Sequence, residues 1–359
     1  MPEVAKSLLQ IAPRPEILGG VVSCAWSICK ALPDWRHTIW FCTAEPIPAR
    51  TRAALAGCRL LAAPSFSAEL LRQAAPDAML LHNVSAGALS PALLPDDMPS
   101  FYYWHGTYQA LRDGGPVAAA CRRAFAVSAH LAQRLEMPPA AVWYQPVPAP
   151  PAAAAAGSLS VAGRFPADRR ANEDGRLTVG RLCNPRPENW PEHLCELYRR
   201  LAARHPEVRW EFVGCPEPLQ GPLAAACGHA RFHPASLGAR ALLWRWDALL
   251  HHAPVTHAYG RVVCEAQQAG CVPIVDDRGG FVEQIEDLRT GFLCATPSDF
   301  SAALAVLAPA AARRAIAAAA HEAGSTRGSL ESWRETFLGY CREVAAAASA
   351  ASVREVSTR

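Results

Sequence analysis

Continuous apolar runs of strand length, each followed by a helix-like stretch, recur along most of the 359 residues. A strand that is apolar on both faces must be buried on both faces, and the usual solution is a parallel sheet covered by helices on either side. The first series opens with KSLLQIAP (Lys6 to Pro13), a loop ending in Gly19-Gly20, and then Val21, Val22, Ala25, Ile28, Cys29 and Leu32 at helical spacing. TIWFCT, DAMLLHN, SFYYWHG, RAFAVS and AVWYQPV follow as strand-length apolar runs, with AHLAQRLEM as a helix between the last two.

PVPAPPAAAAAGSL (Pro146 to Leu159) interrupts that rhythm with a Pro/Ala bias suited to an extended linker. A second alternating series follows. RLTVGRL and VRWEFVG read as strands, with Leu194, Leu197, Tyr198 and Leu201 as a helix face between them. WDALLHH, a helix from about Gly260, and CVPIVDD continue it. PSDFSAALAVLAPAAARRAIAAAAHEAG reads as one Ala-rich helical stretch. From Ser329 to about Ala348, Leu330, Trp333, Phe337, Tyr340 and Val344 form an amphipathic stripe that needs a surface to cover it. The expected architecture is therefore α/β, with two Rossmann-like domains facing a cleft. An N-terminal domain (1–148) is followed by a second domain (149–328). A single core rarely serves a chain of this length.

Hydrophobic residues make up 51% of the chain, enough for two cores. The net charge, 35 − 32 = +3, gives no argument for a nucleic-acid or anionic-membrane partner. No run approaches the roughly 18 apolar residues of a bilayer span, and the N-terminus does not read as a signal peptide. The 13 cysteines contain no CxxC pair or zinc-like spacing, which suits buried thiols in a reducing cytoplasm.

Ligands of open parallel sheets sit beyond the carboxyl ends of the strands, so residues there are the candidates for chemistry. Gly19-Gly20 lies between the first strand and helix, where free N–H groups favour a phosphate or another polar group; a plain turn is the alternative. His105-Gly106 ends SFYYWHG and could donate to a hydroxyl or shuttle a proton, or simply cap the strand. His82, ending DAMLLHN, is a weaker version of the same case. In TVGRLCNPRPENW, Arg181 follows Gly180, and Arg186 stands five residues on. Two guanidiniums converging on one point would suit a departing diphosphate. In HAYGRVVCEAQQAG, Tyr259, Gly260, Arg261 and Val262 would open a helix whose free N–H groups face an anion. Glu265 lies in its second turn, where a ribose diol would satisfy an otherwise costly buried carboxylate; an exposed Glu is the alternative. His257 precedes the helix and would face the group beyond the phosphates, or sit in a surface loop.

These stretches resemble the GT-B glycosyltransferases of the large retaining family GT4, most strongly from about Leu177 to Leu293. Gly180, Arg181 and Arg186 match the family's Gly-Arg strand end with a basic residue five positions on, an arginine here in place of the usual lysine. RWEFVGCPE, with Gly214, resembles the strand and turn beside the nucleotide base. HAYGRVVCEAQQAGCVPIVDDRGGFVEQI resembles the E-x7-E signature and the later Gly-Gly and Glu, here Gly279, Gly280 and Glu283. Glu265 takes the second Glu, which in the family binds ribose, and Tyr259 to Val262 take the phosphate-binding turn. Gly19-Gly20 and His105-Gly106 fit the acceptor-side loop and the sugar-contacting His.

The family's first Glu, which contacts the donor sugar, is His257 here. A neutral imidazole offers one donor and one acceptor where a carboxylate offers only acceptors, so a different hydroxyl pattern is expected. Near a diphosphate its pKa should rise. No DxD triplet is present, so the arginines and helix dipole are expected to serve without a metal.

The resemblance implies a cytoplasmic transferase moving a sugar from a nucleoside diphosphate sugar to a hydroxyl acceptor. It needs no cofactor beyond that co-substrate, and peripheral membrane contact stays open. It also implies that the tail helix crosses back to the N-terminal domain. A catalytically degenerate sugar-nucleotide-binding protein and a sugar-nucleotide epimerase or hydrolase on the same fold are the alternatives. A dinucleotide dehydrogenase is disfavoured because no GxGxxG follows a strand.

Overall fold

The computed structural model describes residues 6–106, 110–151, 176–228, 230–253 and 255–357. Residues 152–159 of the Pro/Ala linker lie outside the described residues. The chain divides into two compact units: Met1–Pro146 with Ser329–Arg359, and Val147–Gly328.

Unit 1 holds a six-stranded sheet in which every pairing is parallel, in the order β3-β2-β1-β4-β5-β6. Its strands are β1 (Ser7–Ala12), β2 (Arg36–Phe41), β3 (Arg59–Ala62), β4 (Ala78–His82), β5 (Ser100–Trp104) and β6 (Arg123–Ala126). Helices α1 (Gly20–Ala31), α2 (Ala49–Ala54), α3 (Ala68–Ala74), α4 (Ala110–Ala120) and α5 (Ala129–Arg134) connect them. β1, β4 and β5 are buried along their whole length, as continuous apolar runs require.

β3 escaped the sequence reading because its RLLA run is exposed at both ends and only half-buried between, as an edge strand tolerates. AVWYQPV is not a strand. It makes one isolated bridge, Val142 to Ala126, and then runs on towards Pro146 and Pro148, which have no N–H to give a ladder.

Helix α11 (Leu330–Ser357) belongs to unit 1. Its Trp333 and Phe337 are buried, and the Trp333 ring stacks on Trp143 at 4.7 Å. Tyr340 stacks on Phe125 at 5.0 Å, and Arg334 forks onto both oxygens of Asp34. The apolar stripe of the tail and Trp143 of AVWYQPV thus cover one another.

Unit 2 repeats the same doubly wound order with parallel pairings throughout: β9-β8-β7-β10-β11-β12. Here β7 is Thr178–Leu182, β8 Arg209–Val213, β9 Ala230–His233, β10 Ala248–His251, β11 Val272–Asp276 and β12 Phe292–Cys294. The helices are α6 (His193–Arg204), α7 (Glu217–Ala226), α8 (Arg261–Gln268), α9 (Pro297–Leu307) and α10 (Ala310–Arg327). Leu194, Leu197, Tyr198 and Leu201 are the buried face of α6, and Tyr198 meets Trp210 and Phe212 edge-on. The Ala-rich stretch forms two helices because Pro309 cannot continue the first and caps the second. All thirteen cysteines are free thiols. No single helix among the described residues is long and apolar enough to cross a membrane.

Candidate functional site

In each sheet the strand order reverses direction about one strand pair, β1/β4 in unit 1 and β7/β10 in unit 2. Ligands of doubly wound sheets sit at the carboxyl side of that pair.

In unit 2, Gly180 is required by packing: a Cβ there would overlap the Trp246 indole. Gly214 has φ +76°, and a Cβ would overlap the Cys183 carbonyl. Both glycines thus have a structural reason of their own. Arg181 is fully buried. Its Nη1 donates to the His252 carbonyl at 2.8 Å and its Nη2 to the Asn189 carbonyl at 2.6 Å, while its guanidinium lies 4.9 Å from the Trp190 ring. Arg186 is exposed, with its guanidinium 4.0 Å from Glu188. The expected convergence of the two guanidiniums is therefore corrected. Arg181 is spent on carbonyls of β10's end and of the 187–189 turn, and Arg186 faces solvent.

The α8 entry is built by its neighbour loop. Gly260, at φ +82°, caps the helix and would strike Phe281 with a side chain. Gly280 donates to the His257 carbonyl at 2.9 Å, and a Cβ on Gly279 would come within 2.6 Å of that same carbonyl. Gln284 donates to the carbonyls of Tyr259 and Gly280. The Gly279-Gly280 pair thus lets one loop lie against the other and shape the helix N-terminus. Tyr259 and Arg261 are buried, and Val262 packs beside the Trp246 cluster, so at this turn it is the backbone that can meet a ligand.

Glu265 is buried in the second turn of α8, which excludes the exposed alternative. One oxygen accepts from Arg240 Nη1 at 3.3 Å, and the other has no hydrogen-bond partner among the described residues.

His257 is partly exposed, with its Nε2 3.2 Å from His251 Nε2. Burial and the positive charge of Arg181, with Arg278 adding to them, push His257 down to about 4, against a smaller upward pull from Asp276. In the protein's own field burial and the two arginines hold this imidazole low, and the rise expected beside a diphosphate would have to overcome them.

Sequence reasoning missed His252 and Asp276. His252 Nδ1 lies 2.5 Å from Asp276 Oδ1, and Asp276 Oδ2 accepts from the Ala253 N–H at 2.8 Å. Burial pushes the Asp276 carboxyl up. The hydrogen bonds from His252 and Ala253, with the His252 and Arg278 charges, outweigh it and hold the group below its ordinary value. The available signal was positional: LLHH and IVDD each end an apolar strand, and those strands are neighbours.

In unit 1, Gly19 caps α1 without any side-chain hydrogen bond, and a Cβ on Gly20 would meet open space. His82 is buried, with Nε2 3.2 Å from Gln10 Oε1 and Nδ1 2.9 Å from His105 Nε2. His105 Nδ1 lies 3.3 Å from Gln145 Nε2. One assignment satisfies every link: Gln145 donates to His105, His105 to His82, and His82 to Gln10. Both ring nitrogens of His105 are thus engaged inside the protein, so a sugar contact would have to displace one of them. Burial pushes His82 down to about 3. Cys24 offers a third ligand atom within 4.8 Å of this pair, but both imidazoles already have partners.

No protein-family model matches the chain, and no curated protein does. Solved structures do match. Anabaena HepE, solved with UDP and glucose, superposes over 94% of this chain and 100% of its own, at a TM-score of 0.69 and 14% identity. A glycosyltransferase from Rickettsia africae superposes over 95% and 99% at 0.70, with 13% identity. Sucrose-phosphate synthase from Thermosynechococcus elongatus superposes over 95% and 100% at 0.65, with 13% identity. At such identities the likeness establishes architecture: this chain has the α/β fold of the GT-B glycosyltransferases.

Proposed function

We propose that the protein is a glycosyltransferase that moves a sugar from a nucleoside diphosphate sugar to a hydroxyl acceptor, with retention, as in GT4. The observation that carries this reading is Glu265. It is a buried carboxylate behind the glycine-capped N-terminus of α8, with one oxygen tied to Arg240 and the other without a partner. A ribose hydroxyl is the natural donor to that oxygen, and the N-terminal N–H groups of α8 would receive the phosphates. HepE, which shares the fold, is solved with UDP-glucose, so UDP-glucose is the first donor to test. Charge on the departing diphosphate would be met by the helix terminus and by the exposed Arg186, without a metal or a further cofactor. Arg181 would act from beneath, by fixing β10.

A second reading has its own support. The engagement of Arg181 and His257 within the protein favours a sugar-nucleotide-binding protein that does not transfer. Release of labelled glucose from UDP-glucose, measured with and without a panel of hydroxyl acceptors, separates the two. Acceptor-dependent transfer with an α-linked product supports the enzyme. UDP-glucose binding without any turnover supports the second reading.

A further inference from the structure

His252 stands at the carboxyl end of the β7/β10 pair. Arg181 clasps its carbonyl, which fixes the backbone. Its ring lies 5.5 Å from Phe300 and 5.8 Å from the exposed His193, centroid to centroid, edge to face on both sides. Asp276 holds its Nδ1 at 2.5 Å. Because an ionised carboxylate can only accept, Nδ1 carries the hydrogen. The side chain is 25% exposed, and Nε2 has no hydrogen-bond partner among the described residues. One ring nitrogen is therefore oriented by a carboxylate while the other faces outward. His251 and His257, by contrast, spend their Nε2 atoms on each other, and burial pushes both down.

We propose that His252 Nε2 is a diphosphate-binding atom of unit 2, and that His252 takes up a proton from solvent when a nucleoside diphosphate binds, with Asp276 as its positioning residue. The inference rests on the donor reading above and adds to it the group that supplies titratable positive charge. Neutral His252 presents a bare acceptor at Nε2, which repels a phosphate oxygen; the imidazolium presents a donor, which binds one. Asp276, Arg181, Arg278, His193, His251 and His257 are the charged and titratable groups around this imidazole. An arriving diphosphate adds negative charge beside Nε2, and an added negative charge favours the protonated ring. The hydrogen bond that Arg181 does not offer, because both its Nη atoms donate to carbonyls, then comes from His252.

The test is calorimetric titration of the full chain with UDP, ADP and GDP at about pH 8, where the terminal phosphate is fully ionised, in buffers of different ionisation enthalpy. Wild type is expected to take up a fraction of a proton per nucleotide bound. His252→Asn keeps an amide donor for Asp276 but lacks Nε2; it should abolish the uptake and weaken binding about tenfold, roughly 1.4 kcal/mol. Asp276→Asn should reduce the uptake with His252 still present, and His193→Gln should leave it intact. Binding without proton uptake in wild type, or uptake that persists in His252→Asn, overturns this inference and leaves the donor reading standing. If none of the three nucleotides binds, both fall.

Discussion

The two units share one strand order and place polar side chains at the same reversal of that order, yet they use them in opposite ways. In unit 1, Gln10 on β1 meets His82 on β4, and the chain of hydrogen bonds continues through His105 to Gln145. Each ring nitrogen along it has a protein partner. In unit 2, Arg181 on β7 meets the end of β10, but the groups beyond it are left incomplete: His252 Nε2 and one oxygen of Glu265 have no hydrogen-bond partner among the described residues. A closed network fixes a fold, because any unmet member would cost free energy. An open one is where a ligand gains by binding. The shared topology sets where a site can be, and the two halves differ in how completely their hydrogen bonding is closed there.

The largest effect expected from this contrast is on stability. Arg181→Ala removes two charge-assisted hydrogen bonds and leaves two carbonyls without their donor, so unit 2 should lose about 3 to 4 kcal/mol. Urea unfolding followed by Trp fluorescence reads this. A loss of nucleotide affinity with unchanged stability would restore Arg181 to the ligand and break the contrast.

Acid should act next, and His82 of unit 1 is one of the groups through which it acts. His82 titrates near 3 in the folded chain against an ordinary 6.5, so the unfolded chain binds the extra proton between those values. Stability therefore falls as pH drops through that window, by about 1.4 kcal/mol per pH unit for this one group. Replacing it by His82→Leu should remove its share of the slope in melts between pH 6.5 and 4. A slope that survives unaltered would show that the unit 1 chain does not hold His82 neutral.

Arg186 should separate from Arg181. Arg186→Ala should leave stability within about 0.5 kcal/mol, as for exposed positions generally. It should weaken UDP binding by about 1.5 kcal/mol if the guanidinium swings to the phosphates. Gly20→Ala is the smallest change. With open space around its Cβ it should alter the unit 1 melt by no more than about 0.5 kcal/mol. A larger loss would mean that the α1 entry is more tightly built than it looks.

Much of this was legible in the sequence, for a definite reason. Buried strands such as SLLQIA and AMLLH declare themselves by continuous apolarity, and the α6 face by its spacing. Edge strands β3 and β9 did not, because half-buried strands carry arginine and histidine. Glu265 was legible because a carboxylate between Cys264 and Ala266 on a buried helix face demands a partner. Arg181 was located correctly but misread: from the sequence, an arginine at a strand end looks the same whether it faces solvent or folds back onto carbonyls 8 and 71 residues away. His252 and Asp276 lie 24 residues apart, and only the β10/β11 pairing brings them together.

In the proposed donor site, Glu265 of unit 2 holds the nucleotide through the ribose diol. The most direct measurement is calorimetric titration of UDP against 2′,3′-dideoxy-UDP, on wild type and on Glu265→Gln, with a melt of each protein to confirm folding. Wild type should prefer UDP by about 1.5 to 3 kcal/mol, the worth of hydrogen bonds to a charged acceptor, and Glu265→Gln should lose most of that preference. Equal affinity of wild type for the two nucleotides, or a preference unchanged in Glu265→Gln, would contradict the account.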